Sequence, residues 1–154
     1  MLYTIRRRIE IDAGHRVHTH GSKCAHFHGH RYTIWAECCS DLLHSVGEQT
    51  DMTLDFSFLK DIMALRIDLP CDHGMILDQN DPLADLWSKF SYADPGIPHL
   101  KTHWVNFVPT AEKLAEYWFN EMQEDIHLRS KQLAILKSVT VEETPNCHAT
   151  YTPK

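Results

Sequence analysis

The sequence predicts an α+β fold, an antiparallel four-stranded sheet with two helices on one face, and three features of the 154-residue chain predict it. Two segments near the N-terminus alternate with the period of a half-buried strand. Two middle segments carry the spacing of amphipathic helices, and strand-like alternation returns near the C-terminus. The order strand, strand, helix, helix, strand, strand suits a sheet with its helices packed on one side.

Residues 2 to 12 hold Tyr3, Ile5, Ile9 and Ile11 in one phase and Thr4, Arg6, Arg8, Glu10 and Asp12 in the other, with Arg7 breaking the apolar phase. Residues 28 to 39 repeat the pattern. There Tyr32, Ile34, Ala36 and Cys38 oppose Arg31, Thr33, Glu37 and Cys39, although Trp35 falls in the polar phase. From Phe56 the spacing becomes Phe56, Leu59, Ile62 and Met63, a helix expected to start at a cap from Asp55 or Ser57 and to end before Pro70. A second helix follows Pro109 and Thr110, with Leu114, Trp118, Met122 and Ile126 as its stripe. Thr110 and Glu112 favour its start, by capping and by opposing the helix dipole. The closing strands are expected at 134 to 143 and 147 to 152.

Between Asp78 and Val108 the chain carries Pro82, Pro95, Gly96 and Pro98 but also Trp87, Phe90, Tyr92, Trp104 and Phe107. So many aromatics argue against a free linker. Residues 79 to 108 are expected to form an ordered insertion, with a short helix near 81 to 90, within one domain spanning 1 to 154.

A chain of this size buries a core without disulfides or a structural metal. Its 43% hydrophobic and 23% charged residues are those of a soluble globular protein. The apolar runs are too short for a bilayer-spanning helix, and the opening MLYTIRRRIEID lacks the order of a signal peptide, so a cytoplasmic protein without a membrane role is expected. A net charge of −6 disfavours a nucleic-acid partner, which demands a basic surface. The run Arg6-Arg7-Arg8 reads as a strand with charges facing solvent. Cys24, Cys38, Cys39, Cys71 and Cys147 are odd in number and form no CxxC pair, so reduced thiols are expected.

Histidine is the unusual count, twelve, of which His15, His18, His20, His26, His28 and His30 fall in one short stretch. Residues two apart on a strand share a face, so His28 and His30 can present two imidazoles to one ion, with Gly29 leaving room between them. His15, just after the first strand, supplies a third if the first two strands are hairpin neighbours. Three histidines without a fourth protein ligand make an open, catalytic kind of zinc site. The competing reading is a set of surface histidines, and His18, His20 and His26 are assigned to it.

Cys24 precedes the histidine pair by four residues. Beside a cation and imidazoles a thiol is favoured as thiolate, the form that removes a proton. A small buried hydrophobe or a fourth metal ligand are its other readings, and burial is expected for the remaining four cysteines. Asp72-His73 pairs a carboxylate with an imidazole, as a proton relay requires, though adjacent pairs of this kind are common by chance. Glu143 lies in phase with Val139 and Val141, whereas Glu142 faces the other side. A carboxylate on an apolar face needs a partner. Two parallel N–H donors of an amino-pyrimidinone would suit it, and so would a buried arginine.

The segments AGHR, the cysteine before HGH, LDFSFLK, DHGMIL, PTAEKLAEYWF and VEET occur in one order over most of the chain. Together they resemble the 6-pyruvoyl/6-carboxytetrahydropterin synthase family. The resemblance implies a T-fold (tunnelling fold) whose subunits join into a barrel-like homo-oligomer, usually a hexamer, with active sites between subunits. It implies Zn2+ on His15, His28 and His30, Cys24 as base, Asp72 and His73 as relay, and Glu143 as anchor of a pterin triphosphate substrate. The three residues between Cys24 and His28 resemble the bacterial 6-carboxy-5,6,7,8-tetrahydropterin synthases of queuosine precursor synthesis. That implies a lyase converting 7,8-dihydroneopterin triphosphate to 6-carboxy-5,6,7,8-tetrahydropterin, triphosphate and acetaldehyde. The alternatives are a 6-pyruvoyl synthase, a relative that only cleaves dihydroneopterin, and a non-catalytic zinc- or pterin-binding module. Two positions depart from the family pattern: Asp51 stands where many members have glycine, and Asp78 where asparagine commonly follows DHxxL.

Overall fold

The computed structural model describes residues 2–91 and 100–154, without the side chains of Phe90 and Ser91. Strand β1 (Tyr3–His15) runs antiparallel to β2 (His28–Ser40), so the two N-terminal segments are hairpin neighbours as expected. Then follow α1 (Phe56–Met63), a π-helical turn Ala64–Asp68, α2 (Leu69–Cys71), β3 (Gly74–Asp78), α3 (Ala84–Ser91), β4 (Thr102–Val105), α4 (Ala111–Arg129), β5 (Ile135–Thr144) and β6 (Cys147–Tyr151).

The sheet corrects the expectation of four antiparallel strands. It has six, in the order β4-β3-β1-β2-β5-β6, and it is mixed. β2, β5 and β6 continue the antiparallel set, but β3 pairs parallel to β1 and β4 parallel to β3. These added strands are five and four residues long. Met75-Ile76-Leu77 is a continuous apolar run, and such a run carries no period-two signature.

The expected phases hold where the core forms. Ile11, Tyr32, Ile34, Ala36, Val139 and Val141 project from one face of the sheet and meet Leu59, Met63, Leu114, Trp118, Met122 and Ile126 of the helices, all of them buried. The opposite face is charged. There the Arg6 guanidinium lies over the Trp35 ring at 4.6 Å, and the indole N–H donates to Glu142 at 3.0 Å, which accounts for a tryptophan in the polar phase.

Asp55 caps α1, its carboxylate accepting from the Ser57 amide at 2.6 Å, and Thr110 caps α4 through the Lys113 amide. The first helix does not stop before Pro70. Through the π-helical turn the coil widens and passes on to Cys71, with the Leu69 amide donating to the carbonyl of Ala64. Widening relieves the clash that a proline ring makes with the preceding turn. Asp51 has φ 62°, the left-handed region that glycine adopts freely, and aspartate is among the few residues that tolerate it.

Within 79 to 108 the described residues form α3, close to the expected short helix, and β4. Tyr92, Pro95, Gly96 and Pro98 lie outside the described residues.

Candidate metal centre and active site

The β1–β2 register builds the centre. His15 stands opposite His28, Gly14 opposite Gly29 and Ala13 opposite His30, so the three imidazoles share the core-facing side at one end of the sheet. Their ligand atoms all lie within 4.8 Å of one another. The Gly14–Gly29 pair permits this close approach, because a Cβ on Gly29 would fall 3.0 Å from the Ala13 carbonyl oxygen.

Hydrogen bonds outside the group fix which nitrogens face inward. The His15 Nδ1–H donates to the Pro109 carbonyl at 2.8 Å, and the His28 Nδ1–H to the His26 carbonyl at 2.8 Å. A carbonyl only accepts, so each Nδ1 carries a proton, and in a neutral ring the inward Nε2 presents a lone pair. Yet the two Nε2 atoms stand 3.0 Å apart. Two neutral rings so placed would set lone pair against lone pair, which a shared proton or a metal cation relieves, and carbonyl partners on the outer nitrogens are the usual support of metal-binding histidines.

Burial keeps His15 neutral. It is 1% exposed, and desolvation lowers its pKa from 6.5 to about 4, against the Pro109 carbonyl, which raises it, while His28 and His30 lower it further. His30 is lowered as well, first by burial, with Glu143 opposing and His28 adding to the effect. Neutral imidazoles are the metal-binding form.

Beside the group lies a cleft of about 220 Å³ lined by His15, His28, Cys24 and Glu143, together with Thr110 and Glu112 at the start of α4. Cys24 is partly exposed and sits in the 3-10 turn Lys23–Ala25. Its sulfur does not belong to the group of mutually close ligand atoms. Glu143 Oε1 is 3.8 Å from His15 Nε2, and the carboxylate also borders a larger groove running past His30, Arg31 and Arg8.

Thr110 and Glu112, read from the sequence as helix-capping residues, line the cleft. Their segment PTAEKLAEYWF is among those that carry the resemblance, but helix-start chemistry accounts for both side chains and gave no sign that they border a cleft. Cys147 requires a correction. It is exposed and lines the cleft, whereas Cys38, Cys39 and Cys71 are buried as expected. The last strand starts at Cys147 on the sheet edge, which leaves its side chain exposed.

Asp72 and His73 are paired but do not line the cleft. His73 Nδ1 is 2.6 Å from Asp72 Oδ2, and Asp72 Oδ1 accepts from the Asp12 amide at 2.9 Å. Burial pushes the Asp72 carboxyl upward, but the Asp12 amide and His73 outweigh it and leave the pKa below the ordinary value. The His73 ring is 79% exposed, and its backbone has φ 54°. A non-glycine residue held in that conformation stores strain of the kind found at functional positions.

Residues 4–154 match the family profile described as 6-pyruvoyl tetrahydropterin synthase. The chain belongs to that family. Tetrahydropterin synthase relatives include proteins named 6-carboxy-5,6,7,8-tetrahydropterin synthase from Rickettsia conorii, 33% identical over 92% of this chain and 94% of that protein, and from Haemophilus influenzae, 32% identical over 97% and 99%. The fold is shared with an uncharacterized protein from Wolinella succinogenes, with TM-score 0.82 and 23% identity over 100% of this chain and 99% of that one. It is shared also with 6-pyruvoyl tetrahydropterin synthase from Caenorhabditis elegans, with TM-score 0.65 and 23% identity over 100% and 97%.

Proposed function

We propose that the chain is a zinc-dependent lyase that converts 7,8-dihydroneopterin triphosphate and one water to 6-carboxy-5,6,7,8-tetrahydropterin, triphosphate and acetaldehyde. The water supplies the second oxygen of the new carboxyl as the side-chain carbon–carbon bond breaks. The observation that carries this reading is the convergence of three imidazoles, with the Nε2 atoms of His15 and His28 3.0 Å apart beside His30. Three imidazoles gathered so closely are a donor set of the kind that takes zinc, and His15, His28 and His30 would be its ligands. Among the described residues no fourth side chain joins the group, and a three-histidine site would leave room for substrate.

Bound by His15, His28 and His30, zinc would supply Lewis-acid polarisation of the substrate's side-chain hydroxyls. Cys24, across the cleft, removes a proton from a side-chain carbon. Glu143 accepts hydrogen bonds from the N–H donors of the pterin ring and sets its distance from the Cys24 sulfur. The ring itself stores the electrons that the side chain gives up, so no redox cofactor is required.

The Asp72–His73 pair is absent from the cleft of its own chain, which favours a homo-oligomer, by resemblance a hexamer, in which one copy lends His73 to another. The names of the relatives and the three-residue gap before His28 favour the carboxy product over the pyruvoyl one. The product suits queuosine precursor synthesis. Five free thiols suit the cytoplasm.

The test is metal and turnover read together. Purified protein is expected to hold about one zinc per chain and to turn over dihydroneopterin triphosphate, with activity lost on chelation and restored by zinc. His28→Ala loses both metal and activity, whereas Cys24→Ala keeps the metal and loses turnover. Zinc retained by His28→Ala, or lost from Cys24→Ala, would contradict the assignment.

A further inference from the structure

The loop between β1 and β2 carries Cys24, and it does not stand by its own bonds alone. The Cys24 carbonyl accepts from the Val17 amide at 2.9 Å, and the next carbonyl, Ala25, accepts from Arg16 Nε at 2.6 Å. Arg16 is in turn held by the buried carboxylate of Asp81, which also accepts from the Leu83 amide at 2.8 Å. A second tie joins His18 Nε2 to Asp78 Oδ2 at 3.0 Å, while Asp78 Oδ1 accepts from the Asn80 amide. The third is aromatic. Phe27 stacks on Trp87 of α3 with ring centroids 5.0 Å apart, and the Trp87 indole donates to Thr102 of β4 at 2.9 Å.

All three ties run from the Cys24 loop to one segment, Asp78 to Trp87, which lies outside the cleft. Each uses a different interaction, an ion pair to a guanidinium, a carboxylate–imidazole pair and a ring stack, so together they fix position as well as proximity. We propose that Asp78, Asp81 and Trp87 are positioning residues for Cys24: through Arg16, His18 and Phe27 they set where the thiol stands against the histidine group. This rests on Cys24 as the proton-removing thiol. A displacement of about 1 Å at a reacting group can lower the rate as much as a hundredfold while binding is kept, so the expected mark is on kcat rather than KM.

The experiment uses the full chain with Asp81→Asn, Trp87→Ala and the conservative Trp87→Phe. Turnover is measured together with alkylation of Cys24 by iodoacetamide, resolved by peptide mass, and exposed Cys147 serves as internal reference. Asp81→Asn and Trp87→Ala are expected to alkylate Cys24 about fivefold faster as the loop loosens, with Cys147 unchanged. They should lower kcat about tenfold with KM, zinc content and Tm near those of the parent. Trp87→Phe keeps the stack and should stay within about twofold of the parent in both readouts. Unchanged Cys24 alkylation in folded variants would overturn the proposal, as would a parallel fall of Tm, metal and KM that Trp87→Phe shares. If Trp87→Ala does not fold, Asp78→Ala removes the group that holds His18 and carries the same comparison. A parent protein that does not turn over dihydroneopterin triphosphate would remove the proposed function, and the alkylation rates alone would then decide the positioning.

Discussion

His15 concentrates the electrostatics of the site in one side chain. It is buried against the Pro109 carbonyl, and its pKa is lowered to about 4 from 6.5. Between those values the unfolded chain binds a proton that the folded chain refuses, so stability must rise with pH across that window and level off above it. Each pH unit of that window is worth about 1.4 kcal/mol, so in zinc-free protein the stability against urea is expected to fall by roughly 3 kcal/mol between neutral pH and the lower end. His15→Gln should flatten that part of the profile. A parent profile without slope in this window would mean that His15 is already protonated or solvated. The pairing of His15 with His28 was legible in the sequence, because strand period and hairpin neighbourhood suffice for it. The neutral tautomer was not, because it depends on a carbonyl 94 residues away in the chain.

At the scale of elements, the long alternating strands were legible and the short ones were not. β1 and β2 each run for 13 residues, long enough for period two to declare itself, whereas β3 and β4 have five and four. The two short strands are recognised only through their partners, Ala13–His15 for β3 and Met75–Asp78 for β4. The same dependence on partners hid the ties of Arg16 and His18, since Asp78 and Asp81 lie 60 or more residues away. Glu143 was legible because its phase relative to Val139 and Val141 is local. The strand pair also makes a prediction. A methyl on Gly29 would press the Ala13 carbonyl at 3.0 Å, a backbone atom that cannot swing aside, and would part β1 from β2 between their histidines. Gly29→Ala is expected to lower stability by about 1–3 kcal/mol and to weaken zinc binding, read by urea denaturation and by competition with a chelator. Stability and affinity equal to the parent would show that the hairpin accommodates the side chain.

For the whole molecule the decisive feature is the separation of Cys24 from the Asp72–His73 pair. If the site is shared between copies, as proposed, Cys24→Ala and His73→Ala proteins are each inactive but fail in different halves of the site. Mixed, partly dissociated and reassociated, they should regain up to about a quarter of the parent activity, since random pairing leaves about one shared site in four with both intact partners. No recovery on exchange of subunits, with each variant individually inactive, would place the whole site within one chain. The reaction itself can be followed directly. Its most direct measurement follows triphosphate, acetaldehyde and pterin mass together in one incubation of zinc-loaded protein with dihydroneopterin triphosphate. Acetaldehyde released in step with triphosphate, with a 6-carboxytetrahydropterin product, is the predicted result, and triphosphate release with a pyruvoyl product and no acetaldehyde would contradict it.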